Sequence, residues 1–308
     1  MSHIPIITFF STSDDAKNKA SLVYNLANQL SATGKGVLCV DFSEKLNLAR
    51  YFIHSVPELL KQNSYSKENI LTKTQDVLIN LPVYKSETKS NLQLLIGVFP
   101  NTERIHLNNI TSELLEDHQK FIFESQELVT QLKEKATENE LKYIFINLNT
   151  EISTSEKSIA IFSDLFINII HLGEFINVYI NRKTVFYFYR LLRNYFSITK
   201  KDLSYQPSQL FNRIIISPSN NLSNHDTAHN IDLMDKTYFN DALSIETTLA
   251  ILPEFPSLIE LADINDKSIL DLTPADGAIG SHAEAVSRYR EYIDDLASKM
   301  VDKSKFDS

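Results

Sequence analysis

From residue 4 to residue 300, short apolar runs alternate with amphipathic stretches, and this alternation restricts the chain to one class of fold. A strand buried on both faces reads as an unbroken apolar run, whereas a covering helix shows apolar residues three and four apart. The pattern predicts an α/β architecture: a doubly wound, mostly parallel sheet flanked by helices. Strands are expected over residues 4–10, 37–42, 76–81, 92–98, 143–147, 166–171, 214–217 and 248–252. Helices are expected over 18–32, where Leu22, Leu26 and Leu30 recur four apart, and over 46–52, 56–62, 112–139 and 175–196. A closing helix over 283–300 carries Val286, Tyr289, Ile293 and Leu296 along one face.

At 308 residues and 43% hydrophobic, the chain can bury one substantial core, and a domain of roughly 250 to 300 residues is ordinary for such folds. No repeat or Pro/Gly/Ser linker divides it. One domain over 1–300 and a flexible tail over 301–308 are therefore expected. Cys39 is the single cysteine, which excludes an intramolecular disulfide and fits a cytoplasmic protein. No run approaches 18 apolar residues, and no basic stretch followed by an apolar one opens the chain, so no integral membrane segment is expected.

The order of elements narrows the reading. A strand, a polar loop, a helix, a strand ending in Asp41 and a later strand ending in Asn147 form the skeleton of a P-loop nucleotidase. Yet glycine, which lets a backbone wrap closely around phosphate, is scarce. There are 6 in 308 residues, and the first is Gly34.

Several stretches carry a family resemblance: Asn25-Leu26-Ala27, Gly34-Lys35-Gly36-Val37-Leu38-Cys39-Val40-Asp41 and Asn47-Leu48. Ile251-Leu252-Pro253, Ser268-Ile269-Leu270 and the helix from Ala285 to Leu296 add to it more loosely. In this order they resemble the ParA/MinD group of deviant Walker-motif ATPases, over most of the chain.

Anchored on Asn25-Leu26-Ala27, the resemblance places the family's phosphate loop on residues 14–21, and the residues found there depart from it. Asp14 stands where the signature lysine crosses to a partner's nucleotide, and Asp15, Ala16 and Asn18 stand where three glycines are expected. Lys19 matches the lysine that contacts the outer phosphates. Ala20 replaces the Mg²⁺-binding threonine, while Ser21 keeps a hydroxyl. Asp41 is followed by Phe42 and Ser43, so the second carboxylate of the family's Asp-x-Asp is missing, and Asn147 stands at the Walker B aspartate. Two carboxylates within about 4 to 6 Å of a triphosphate would repel it by kilocalories per mole. The expectation is a chain that is not an ATPase, has no cofactor, and holds its loop shut by pairing Lys19 with Asp14 or Asp15.

The expected work is then protein binding in the positioning or assembly of a bacterial machine: secretion, pilus, polysaccharide export or partition. A weakly ATP-binding dimer using Lys19, Ser21 and Asp41 is the alternative. A second alternative is a DNA-associated partition factor. It would use the basic region from Arg182 to Arg213, which contains Arg182, Lys183, Arg190, Arg193, Lys200 and Lys201 interleaved with aromatic residues. An ordinary amphipathic helix with solvated charges is the plainer reading of that segment. The net charge of −9 makes nucleic acid the less favoured partner. A homodimer is compatible with the resemblance. His225 and His229 have helical metal-pair spacing but no further ligand nearby in sequence, so no metal is expected.

Overall fold

The computed structural model describes residues 3–11, 16–43, 47–52, 83–85, 91–96, 114–148, 162–171, 211–217 and 247–304. Its strands are β1 (Ile6–Phe10), β2 (Val37–Asp41), β3 (Val83–Lys85), β4 (Leu92–Ile96) and β5 (Tyr143–Asn147), followed by β6 (Leu165–His171), β7 (Phe211–Ser217) and β8 (Thr247–Pro253). The helices are α1 (Ala16–Ala32), α2 (Leu114–Glu138), α3 (Pro256–Ile264) and α4 (Ser281–Ser304). The eight strands form one sheet in the order β3-β4-β2-β5-β1-β6-β7-β8. Every pairing is parallel except β3 with β4 at the edge.

The inner strands are buried because they are apolar on both faces. Every residue of β1, β2 and β5 is buried, as a sheet covered by helices on both sides requires. Phe9 of β1 meets Phe145 of β5 edge to face, with ring centroids 5.1 Å apart, a geometry the ring quadrupoles favour. Leu22, Leu26 and Leu30 of α1 enter the same core as Val286, Tyr289, Ile293 and Leu296 of α4, and the two helices pack together.

Two glycines fix the junction between α1 and β2. Gly34, at φ +80°, ends the helix in the left-handed conformation, and Lys35 N–H returns to Leu30 O at 3.0 Å, the closure of a Schellman turn. Gly36 lets β2 start against the loop before β5. A Cβ there would lie 2.8 Å from Leu141 Cδ2 and 3.3 Å from the Asn91 carbonyl oxygen.

Several expectations need correction. The segment 46–52 contains a short 3-10 turn, Ala49–Tyr51, in place of a full α-helix. The antiparallel strand β3 and the helix α3 were not anticipated. Helix α4 continues past Met300 through Ser304, with Val301 and Ser304 buried, so the flexible tail expected from 301 does not begin there. Strand β7 begins at Phe211, three residues before the expected start, because buried Asn212 and Arg213 interrupt its apolar pattern. The expected elements at 56–62, 76–81 and 175–196 lie outside the described residues, as do His225 and His229. Among the described residues no helix is long and apolar enough to cross a membrane.

Candidate functional site

In open parallel sheets the carboxyl ends of the strands face the crevice where ligands bind. Here β5 lies between β1 and β2, and register brings their ends together. Asn147 pairs with Phe9 on one side and with Asp41 on the other. Helix α1 starts shortly after β1, so its first turn rises over this edge. Asp14 and Asp15 lie outside the described residues, so the expected ion pair to Lys19 lies outside them too.

Three of the matched positions on α1, Lys19, Ala20 and Ser21, turn inward. Lys19 is fully buried, and its Nζ donates to the backbone carbonyl of Leu148, the residue after β5. A buried ammonium needs such partners, because an uncompensated charge in the interior costs several kilocalories per mole. Ala20 belongs to the hydrophobic core. Ser21 is also buried; its hydroxyl accepts from Asn25 Nδ2 at 3.3 Å and hydrogen-bonds the side chain of Tyr51. Asn25 spans the helix further: Nδ2 donates to Ser21 O at 2.7 Å, and Oδ1 accepts the Leu270 N–H at 3.2 Å. It also bonds Tyr289, whose phenol pKa is raised mainly by burial and then by Tyr51.

Asp41 is the most densely bonded group of the site. Oδ1 accepts Ser43 N–H at 3.0 Å, Ser43 Oγ–H at 2.6 Å and Asn147 Nδ2–H at 3.0 Å. Oδ2 accepts the N–H groups of Leu48 at 2.8 Å and Ala49 at 3.1 Å. Five donors from three segments converge on one fully buried carboxylate, which fills its lone-pair sites. Ser43, expected as a mere gap in the Asp-x-Asp motif, is thus an anchor of the turn, and its hydroxyl also accepts Asn47 N–H at 3.0 Å. Asn147 gives its amide to Asp41, while its buried Oδ1 has no hydrogen-bond partner among the described residues. Burial, and then the Asp41 charge, push the Cys39 thiol pKa up, so this cysteine is a poor nucleophile.

A groove opens beside the first turn of α1. A cavity of about 450 Å³ is lined by Asn18, Glu254, Pro256, Ile259, Glu260, Asp263 and Ile264. Arg50 pairs with Asp263 and stacks over Tyr51 at 5.0 Å, and Tyr51 stacks on Tyr24 at 4.8 Å. Asn18 was among the loop positions singled out in the sequence, and Glu254 directly follows the Ile251-Leu252-Pro253 stretch.

Of the basic region, Arg182, Lys183, Arg190, Arg193, Lys200 and Lys201 lie outside the described residues. Arg213 does not belong to an exposed patch as expected: it sits within β7, 3% exposed, and its Nε donates to Thr248 Oγ1 at 2.7 Å.

No family model and no curated protein matches the sequence. Solved structures do match it. A plasmid partition protein of Borrelia burgdorferi bound to AMPPNP superposes with a TM-score of 0.57 at 16% identity, covering 98% of this chain and 100% of that one. The cell division ATPase MinD of Pyrococcus furiosus gives 0.54 at 15% identity, covering 97% and 99%. A chain of the MinC:MinD cell division protein complex of Aquifex aeolicus gives 0.51 at 14%, covering 97% and 96%. At such identities the likeness establishes the fold, which is the ParA/MinD type of P-loop architecture.

Proposed function

We propose that this chain is a ParA/MinD-like protein without ATPase activity. It acts in the cytoplasm by binding protein partners in the positioning or assembly of a bacterial machine. The observation that carries the reading is Lys19, the one cation kept at the loop position expected to meet phosphate. It is buried and donates to the Leu148 carbonyl. The rest of the donor set fits Mg-ATP poorly. Ala20 offers no hydroxyl to Mg²⁺, and Asn147 offers an amide where phosphoryl transfer needs a carboxylate. The lone pairs of Asp41 are already taken by Ser43, Leu48, Ala49 and Asn147.

A protein that keeps this fold without the nucleotide chemistry retains its surfaces. One structural relative is described as a MinC:MinD complex, and partner binding is the behaviour we carry over to this chain. The runner-up, a dimer that binds ATP weakly, draws on the retained Lys19 and on Asn147 Oδ1, which has no hydrogen-bond partner among the described residues.

Steady-state phosphate release tests the catalytic half of the proposal. With millimolar Mg-ATP, release is expected to match the protein-free blank, before and after adding vesicles or DNA. Release above the blank that disappears in Lys19→Gln would overturn the reading.

A further inference from the structure

We propose that the groove between the first turn of α1 and helix α3 is a docking site for a partner segment rich in Lys or Arg and in aliphatic residues. The inference rests on the protein-binding reading above and names the chemistry of the partner. Two properties of the groove argue for this occupant. Its apolar part is Pro256, Ile259 and Ile264, and Ile264 is 72% exposed, the highest value among the exposed large hydrophobic residues described. Pro256, Ile259 and Ile264 line the same groove, and it is such an apolar strip with a polar rim, more than one open side chain, that suits an interaction surface.

The charge of the groove selects what that chain is. Glu254, Glu260 and Asp263 line it. Arg50 answers Asp263 alone, and among the described residues no cation pairs with Glu254 or Glu260. An anionic occupant, a nucleotide included, meets like charge along this wall, whereas a basic segment meets complementary charge, which speeds and orients its docking. Among the described residues no group of His, Cys, Asp and Glu could hold a metal ion, so the carboxylates do not converge as a cation site. Asn18, one of the phosphate-loop positions, lines the groove and joins the docking surface to the edge where β1, β2 and β5 end.

The test is selection of a random 12-residue peptide library on the immobilised full chain, followed by fluorescence anisotropy of the enriched peptides. Enriched peptides are expected to combine Lys or Arg with Leu, Ile or Phe and to bind less tightly as salt rises. Ile264→Asp should weaken them about tenfold or more, and Glu254→Gln with Glu260→Gln about fivefold. All three positions lie on or near the surface, so the thermal midpoints of the variants should stay within a few degrees of the parent. An absence of enriched peptides, enrichment without basic residues, or affinities that the substitutions leave unchanged would overturn the proposal. So would self-association of the chain that Ile264→Asp abolishes, since the occupant would then be a second copy. No nucleotide enters the selection, so ATP turnover would sink the non-catalytic reading without deciding the groove.

Discussion

Replacing Asp41 with alanine is expected to cost the fold about 3–5 kcal/mol, read from urea denaturation of the variant beside the parent. The carboxylate holds the N–H groups of Ser43, Leu48 and Ala49, the Ser43 hydroxyl and the Asn147 amide. Truncation leaves these donors buried, and each unsatisfied donor carries its own desolvation cost. Against a typical domain stability of about 5–15 kcal/mol, the loss is a large fraction. Asp41→Asn keeps one accepting oxygen and should fall between the two. If Asp41 served chiefly as a nucleotide contact, alanine would lower stability by less than about 1 kcal/mol, in the range of an ordinary surface change, and that outcome would contradict its assignment as a structural anchor.

Lys19 supplies the second large effect, and two substitutions separate its components. Lys19→Met keeps most of the side-chain volume but leaves the Leu148 carbonyl without its donor, for a cost of about 1–2 kcal/mol. Lys19→Ala adds a cavity beneath α1 and should cost about 3–5 kcal/mol in all. The gap between the variants measures packing, because both remove the charge. Equal costs, or an alanine variant as stable as the parent, would mean that Lys19 does not fill the buried position where it lies.

The fold was legible wherever burial left a one-dimensional trace. β1, β2 and β5 are apolar on both faces, so their runs stand out, and Leu22, Leu26 and Leu30 declare a helix by spacing alone. The closing helix was read short, although Ala297, Met300, Val301 and Ser304 continue its buried face at helical intervals. β3 is three residues long and antiparallel at an edge, too short to show a period. α3 is nine residues long and begins at a proline; Leu258, Leu261 and Ala262 recur at helical spacing, but Ile259 and the exposed Ile264 are apolar too, so the short run shows no clear polar face.

The site divides along the same line. Identity at Lys19, Ala20, Asp41 and Asn147 was readable once Asn25-Leu26-Ala27 fixed the register. Direction was not. The expected pairing of Lys19 with Asp14 or Asp15 lies outside the described residues, whereas its bond to a carbonyl 129 residues away has no signature in sequence, because every residue has a carbonyl. The anchoring of Ser43, Leu48 and Ala49 on Asp41 was hidden for the same reason, since four of its five donors are backbone groups or a neighbouring hydroxyl. Arg213 misled in the opposite sense. Its charge suggested a surface patch, and its position inside a parallel strand overruled it.

Titration calorimetry of the full chain with Mg-ATP and Mg-ADP tests directly whether this ParA/MinD-type fold has given up its nucleotide. No heat beyond dilution is expected up to millimolar nucleotide, for the parent and for Lys19→Met alike. Saturable binding in the micromolar range that Lys19→Met removes would contradict it, and would show that the buried lysine leaves the Leu148 carbonyl to meet phosphate.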